Sequence, residues 1–390
     1  MQFKDFNLEP RLQRNLQTMG FEQPMPIQSA AIPPALKGAD ILGSAETGTG
    51  KTAAFLLPLL QKLITSPRPR QPRALILVPT RELALQVADQ ARQLSHGLSL
   101  RISVIYGGVG LGPQEQALRQ GADILIATPG RLLDHIARRN VTFTELKVLV
   151  LDEADRMLDN GFWPDIRRIV RLLPRERQTL LFSATLEPMM KLAGEVTRQP
   201  VRVEVEKTAA PEAITQVLYP VPEHLKFKLL EHLLKDKNLE SVLIFARTKH
   251  RADRVAHHLQ RAQISAGVIH GNRSQNQRVA ALEAFRHGRT RVLVATDIAA
   301  RGIDVDGISH VVNYDVPMQP EDYIHRIGRT GRAQAVGQAY TLVTPLDAPM
   351  IQRIEKILKQ ALKRHKIAGL DYNAPPASPA LPPRRNLGPR

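Results

Sequence analysis

The chain predicts an α/β fold of two tandem domains, each a mostly parallel sheet with helices on both faces. Three observations carry this. Short runs rich in Val, Ile and Leu alternate with helical spacing along most of the 390 residues. The runs are near-continuously apolar, as in sheets covered on both faces. And the rhythm occurs twice. In the first half the runs fall at 41–45, 74–79, 101–106, 124–128, 148–152 and 180–183. In the second they fall at 242–246, 267–270, 292–297, 310–314 and 340–343. Residues 201–211 alternate Val with Arg, Glu and Lys and end in Ala209-Ala210-Pro211, a linker composition. The expected domains are 1–207 and 208–370. A Pro-rich basic tail, 371–390, is expected to be disordered.

Composition bounds the function. An apolar content of 43% suits a globular chain long enough for two cores. A net charge of +17 points to a polyanion partner, nucleic acid before membrane, although a solvated basic surface accounts for the charge equally well. The absence of Cys excludes disulfides, thiolate zinc sites and catalytic thiols. The start, Met1-Gln2-Phe3-Lys4-Asp5, has no apolar signal core, and no apolar run approaches a membrane span. A cytoplasmic protein with no membrane partner is the expectation. His250, His257 and His258 show no metal-ligand spacing. Residues 351–390 hold nine Lys/Arg against Glu355 and Asp371, and 351–367 has helical spacing of Ile and Leu. Two readings stand: a helix with a basic face that adds grip on a polyanion, or a capping helix with a solvated tail.

Two separated stretches need each other. Ala45-Glu46-Thr47-Gly48-Thr49-Gly50-Lys51-Thr52 follows one apolar run and precedes a helical pattern. Gly48 and Gly50 allow a tight turn whose amides point at phosphate oxygens, next to a helix N-terminus. Thr47 and Thr49 lie in the same turn. Lys51 would reach the β/γ-phosphates and the Thr52 hydroxyl would bind Mg²⁺. Ala45 stands where the usual phosphate-loop formula has Gly. One hundred residues later Asp152-Glu153-Ala154-Asp155 closes the run 148–151. A carboxylate at a strand's C-terminal end is where Mg²⁺ sits in open α/β sheets. Asp152 would hold the metal and Glu153 would polarise an attacking water. A plain acidic helix start explains one acid, not the set.

Further motifs in order make the resemblance plain: the chain resembles the DEAD-box RNA helicases of superfamily 2, from Phe3 to Arg332. Gly20-Phe21-Glu22-Gln23-Pro24-Met25-Pro26-Ile27-Gln28 looks like the Q motif, with Phe3 as its upstream aromatic. Pro79-Thr80-Arg81-Glu82-Leu83-Ala84, Gly107-Gly108 and Thr128-Pro129-Gly130-Arg131 match motifs Ia, GG and Ib, and Ser183-Ala184-Thr185 matches motif III. Leu243-Ile244-Phe245 resembles motif IV, with Gln275 and Arg278 as its Q-x-x-R element. Residues 295–304 and 325–332 match motifs V and VI. Met25 stands where Thr is usual and Glu46 where Gln is common. The compact layout looks most like the bacterial RhlE-type subgroup.

The resemblance implies two RecA-like domains, ATP and Mg²⁺ as cofactors, and RNA as substrate. Gln28 would read the adenine edge, with Phe3 and Phe21 beside the base. A hydrophobic staple is the alternative for Phe3. Asp304 would bind the ribose. Arg329 and Arg332 would reach the γ-phosphate only when the domains close. Arg326, Arg329 and Arg332 recur every three residues, which would place them roughly on one helix face; the alternative is a solvated basic face, which Gly328 and Gly331 weaken because glycines in a surface helix cost stability for no gain. His325 and Arg326 would tie motif VI to the carboxylates and to Ser183 and Thr185. RNA contacts would come from Thr80, Arg81, Gly108, Thr128, Gly130 and Arg131, and from Arg247, Gln275, Arg278 and Thr296. Such backbone contacts imply single strands and short duplexes bound with weak sequence preference. Ribosome-assembly or RNA-decay proteins are the implied protein partners. The expected function is ATP-driven unwinding of short RNA duplexes; an ATP-gated RNA clamp or scaffold needs the same motifs.

Overall fold

The computed structural model describes residues 1–375 apart from 46–48, 66–69, 185–186, 206–213, 237–238, 301–307 and 332–336. The chain divides into two units. One is built from Met1–Ala210, the other from Pro211–Ile298 and Asp306–Arg390.

The first unit holds a seven-stranded sheet. Its strands are β1 (Ile41–Ser44), β2 (Ala74–Leu77), β3 (Ile102–Ile105), β4 (Ile124–Ala127), β5 (Val148–Leu151), β6 (Gln178–Ser183) and β7 (Val201–Glu204). Their order is β3-β4-β2-β5-β6-β1-β7, with every pairing parallel. The continuous apolar runs follow from burial on both faces. Val148 and Val150 enter one core with Ile76, Ile126 and Leu180, while Leu149 and Leu151 enter another with Leu75, Leu125 and Leu181. A period of two applied to a doubly covered strand leaves no polar position.

The second unit repeats the plan with β8 (Ile214–Pro220), β9 (Val242–Phe245), β10 (Ala266–Ile269), β11 (Val292–Ala295), β12 (His310–Asn313), β13 (Gly337–Val343) and β14 (Lys363–Arg364). The order is β10-β11-β9-β12-β13-β8-β14, again all parallel.

Three strands go beyond the apolar runs. β7 lies at a sheet edge inside the stretch read as leading to a linker; only Val203 of its four residues is buried. β8 carries Thr215 and Gln216 and ends at Pro220. β14 is two residues long and exists only through its pairing with β8.

The C-terminal expectation also changes. The helix is Ala348–Leu358, not a helix to 367. Lys359 is left-handed (φ 52), and the chain then runs into β14. Ile367, Leu370, Tyr372 and Ala374 pack on the second unit's core, so the first residues of the expected tail belong to the fold. The rest of that tail, 376–390, lies outside the described residues.

Candidate active site

In a parallel sheet all strands point the same way, so the loops after them gather along one edge. The order of the first sheet divides that edge in two. β5, β6 and β1 are neighbours, and they lead into Asp152-Glu153, Ser183-Ala184 and the phosphate loop. β3, β4 and β2 are also neighbours, and they lead into Gly107-Gly108, Thr128 and Thr80-Arg81. The expected nucleotide and RNA residues of this unit thus separate by strand order alone.

On the nucleotide side, the helix Lys51–Ile64 starts at Gly50, which is left-handed (φ 84). A Cβ there would lie 2.3 Å from Gln28 Nε2, so the position needs glycine on both counts. Gln28 is buried and bridges two helix starts. Its Oε1 accepts from the Met25 N–H (2.9 Å) and its Nε2 donates to the Gly50 carbonyl (3.0 Å). Phe3 is buried and meets Phe6 and Phe21 edge to face, each with centroids 5.8 Å apart. That is the packing alternative for Phe3.

Lys51, Asp152 and Glu153 are all buried. Burial pushes the Asp152 carboxyl up to about 6; the Lys51 charge pulls it down, and Glu153 raises it further. Asp152 Oδ1 accepts from the Glu153 N–H (2.9 Å). Glu153 itself is left-handed (φ 52) and faces Arg156 Nη1 at 3.3 Å. Asp155 Oδ2 accepts from the Ala184 N–H (3.0 Å), joining the acidic turn to the β6 loop. Asp155 was legible as part of the tetrapeptide; its role was not, because its partner is 29 residues away. Ser183 is fully buried, and its carbonyl accepts from the Ala45 N–H (3.1 Å) at the root of the phosphate loop. Thr52 is half-buried beside Lys51. Thr47, Gly48 and Thr185 lie outside the described residues.

On the other half of the edge, Thr80 caps the helix Arg81–Leu94, its Oγ1 accepting from the Leu83 N–H (3.3 Å). The Arg81 guanidinium lies against Gly108, which is left-handed (φ 81) and where a Cβ would come 2.2 Å from Arg81 Nη1. Thr128 precedes the helix Pro129–Ala137. Gly130 is exposed, and Arg131 Nη1 donates to the Val109 carbonyl (3.0 Å).

In the second unit, β9 leads to Arg247, which is exposed, and β11 leads to Thr296. Gln275 and Arg278 lie on the helix Gln275–Arg286, capped by Ser274, whose Oγ accepts from the Gln277 N–H (3.3 Å). The expected single helix face for the motif VI arginines is not what forms. The helix Pro320–Ile327 ends before Arg329, and Thr330 Oγ1 bonds the Ile308 carbonyl (2.6 Å), turning the chain away. Arg326 also differs from expectation: its donors are spent within this unit. Nε and Nη2 grip both oxygens of Asp297 (2.5 and 2.7 Å), and Nη1 donates to Asn313 Oδ1 (3.1 Å) and to the Asp315 carbonyl (2.6 Å). The guanidinium lies 5.0 Å over the Phe245 ring. Arg326 therefore locks motifs IV, V and VI together. Arg329 is buried and His325 half-buried; Asp304 and Arg332 lie outside the described residues.

Among the described residues no group of three or more His, Cys, Asp or Glu could hold a metal, and no helix is long and apolar enough to cross a membrane. The acidic turn still fits a cation. Burial, with Glu153 and then Asp155 nearby, raises the Asp152 carboxyl, and a cation there would relieve it.

Fold and site together define a two-unit α/β protein of the phosphate-loop kind. The chain belongs to the DEAD/DEAH box helicase family: that family's model matches residues 25–192, and the helicase conserved C-terminal domain matches residues 225–334. It is 43% identical over 371 residues to the DEAD-box ATP-dependent RNA helicase CshA of Bacillus subtilis, covering 95% of this chain and 75% of that protein. It is 45% identical over 366 residues to the ATP-dependent RNA helicase RhlB of Pseudomonas syringae, covering 91% and 92%. Among solved structures, S. cerevisiae Dbp5 bound to RNA and ADP BeF3 matches with a TM-score of 0.84 at 31% identity, over 94% of this chain and 95% of that one. The two parallel seven-stranded sheets are tandem RecA-like domains of that kind.

Proposed function

We propose that this chain is an ATP-dependent RNA helicase that separates short RNA duplexes as its two units close on one strand. The observation that carries it is the convergence of Lys51, Asp152, Glu153 and Ser183 at the ends of three adjacent strands, beside a second row of cationic and hydroxyl residues after β2, β3 and β4. The relatives' printed names and the RNA-bound Dbp5 structure support the same reading.

Lys51 neutralises phosphate charge, and the helix start at Gly50 offers free N–H groups to it. Thr52 and Asp152 would hold Mg²⁺, which supplies charge neutralisation at the β- and γ-phosphates. Asp152 must be ionised for this. Glu153 accepts a proton from the attacking water. Asp155 holds the acidic turn to Ala184, so a shift in the β6 loop reaches the carboxylates. Arg329 and Arg332 stabilise charge at the γ-phosphate in the closed arrangement. Arg326 supports this by fixing the end of the helix Pro320–Ile327, just before them, to Asp297. Thr80, Arg81, Gly108, Thr128, Gly130 and Arg131, with Arg247, Gln275, Arg278 and Thr296, hold the RNA backbone, so sequence preference is weak.

The experiment is Glu153→Gln. The amide keeps the shape but cannot take the water's proton, so RNA-stimulated ATP turnover should fall by about 10²–10⁴-fold. Binding of ATP and RNA should persist. Near-normal turnover in this variant overturns the assignment.

A further inference from the structure

A groove of about 1010 Å³ lies wholly within the second unit. It opens between residues 220–226, the loop 343–348 after β13, and the C-terminal stretch 364–373. The ATP reading makes no use of it, and of the residues assigned to RNA it includes Arg247. Its walls are largely apolar: Val343, Pro345, Ile351 and Tyr372 contribute, and Leu346 stands 91% exposed at the rim. A lone exposed Leu is ordinary, but one at the lip of an apolar groove extends a continuous apolar surface. The volume is at the upper end of common ligand clefts, about 300–1,000 Å³, and admits several side chains at once.

The charge around the groove is uneven. Five cationic side chains line it against three carboxylates. The inner cations are already paired. Lys226 and Arg251 both meet Asp315, at 3.5 and 3.0 Å, and both meet Glu223. Arg247 meets Asp347 at 3.7 Å. The excess lies on the C-terminal stretch. There Arg364 is half-exposed with Glu355 at 3.2 Å, and the exposed Lys366 holds its Nζ 5.4 Å from the centre of the Tyr372 ring.

We propose that this groove docks a short segment of a partner protein in which acidic residues flank a bulky apolar side chain. The apolar side chain seats against Pro345, Leu346 and Tyr372. The carboxylates meet the exposed Lys366, with Arg364, itself paired with Glu355, beside it. Apolar anchors with arginine and tyrosine at the contact are the composition of a protein interface. The chain's own terminus is the wrong occupant: residues 376–390 carry three Arg and no acid, and would meet like charge. A single RNA strand is a poorer fit, because its phosphates would have to seat on largely apolar walls whose inner cations are already paired. Tyr372 is the one aromatic among the lining residues. It is half-buried, with Lys366 over its ring and its hydroxyl accepting from the Ile367 N–H (2.9 Å).

The test uses the full chain and a random library of 16-residue peptides, with decauridylate RNA present at saturation. Selected peptides are then titrated by fluorescence anisotropy against the unmutated protein, Leu346→Asp and Lys366→Glu. Both positions are exposed, so the variants should fold, and unchanged RNA-stimulated ATP turnover checks this. The expected result is enrichment of Asp and Glu around Leu, Ile or Phe, with each substitution weakening binding by about tenfold or more. No enriched pattern, or affinity unchanged in either variant, overturns the proposal. Displacement of the peptide by added RNA also overturns it and assigns the groove to the RNA path.

Discussion

Gln28 ties two helix starts together and keeps polar groups to spare. Its amide has two donors and two acceptor sites. Met25 and Gly50 use one of each, which leaves one lone pair and one N–H. Adenine presents a matching pair, the N6–H donor and the N7 acceptor, whereas guanine presents two acceptors, O6 and N7. GTP would set oxygen against oxygen in a buried place. We therefore expect GTP to support little hydrolysis or unwinding. Gln28→Ala should narrow the preference for ATP by about tenfold or more, the worth of one good bidentate contact. It should also lower turnover, because the same residue steadies Gly50 at the start of the phosphate-binding helix. Steady-state rates with both nucleotides measure this. Equal rates with ATP and GTP in the unmutated protein would sink the adenine assignment.

At the scale of elements, buried ionic clamps hold the sheet edge in register. Asp123, just before β4, is almost wholly buried between Arg73 and Arg101. Its Oδ1 accepts from Arg73 Nη2 (2.8 Å) and its Oδ2 from the Arg101 N–H (2.9 Å). Arg73 also donates to the Leu63 carbonyl at the end of the phosphate-binding helix (2.7 Å). Burial alone would raise the Asp123 carboxyl, but the Arg101 N–H and the Arg73 guanidinium bring it below its ordinary value. Asp123→Asn removes the carboxylate charge from beside the buried Arg73 guanidinium and should cost about 3–5 kcal/mol. A depressed carboxyl contributes stability above its unfolded value and loses it as pH falls through the folded one. The stability gap between unmutated protein and variant should therefore be full at neutral pH and shrink in acid. Denaturant melts of residues 1–210 across that range measure it. A gap that stays constant into acid would mean the pair is not the source.

The whole molecule sets the level at which turnover arises. Each unit has its own sheet and core, so each should fold when expressed alone. Residues 1–210 carry Lys51, Thr52, Asp152 and Glu153 but lack Arg329 and Arg332. We expect this segment to bind ATP and to hydrolyse it far more slowly than the intact chain. In the intact chain, RNA and ATP should bind cooperatively, because each favours the closed arrangement. The measurement is RNA affinity with and without a non-hydrolysable ATP analogue at fixed salt, since a basic surface makes binding salt-dependent. Full activity of residues 1–210, with no change in RNA affinity, would favour a single-unit ATPase.

Much of this was determined by the sequence alone. Strands covered on both faces are mostly apolar, so β1 to β6 and β9 to β13 stand out as local runs. The loop 45–52 and the tetrapeptide 152–155 were legible because their chemistry lies in adjacent residues. Partners far apart in the chain were left to tertiary structure. β7 and β14 are edge strands whose mostly exposed residues carry no buried period, and they exist through pairing. The motif VI arginines repeat at helical spacing, yet the helix stops at Ile327, because Thr330 finds the Ile308 carbonyl 22 residues back. Arg326 turns inward because Asp297, Asn313 and the Asp315 carbonyl together satisfy a buried guanidinium, a demand that low-dielectric surroundings enforce and linear spacing cannot express.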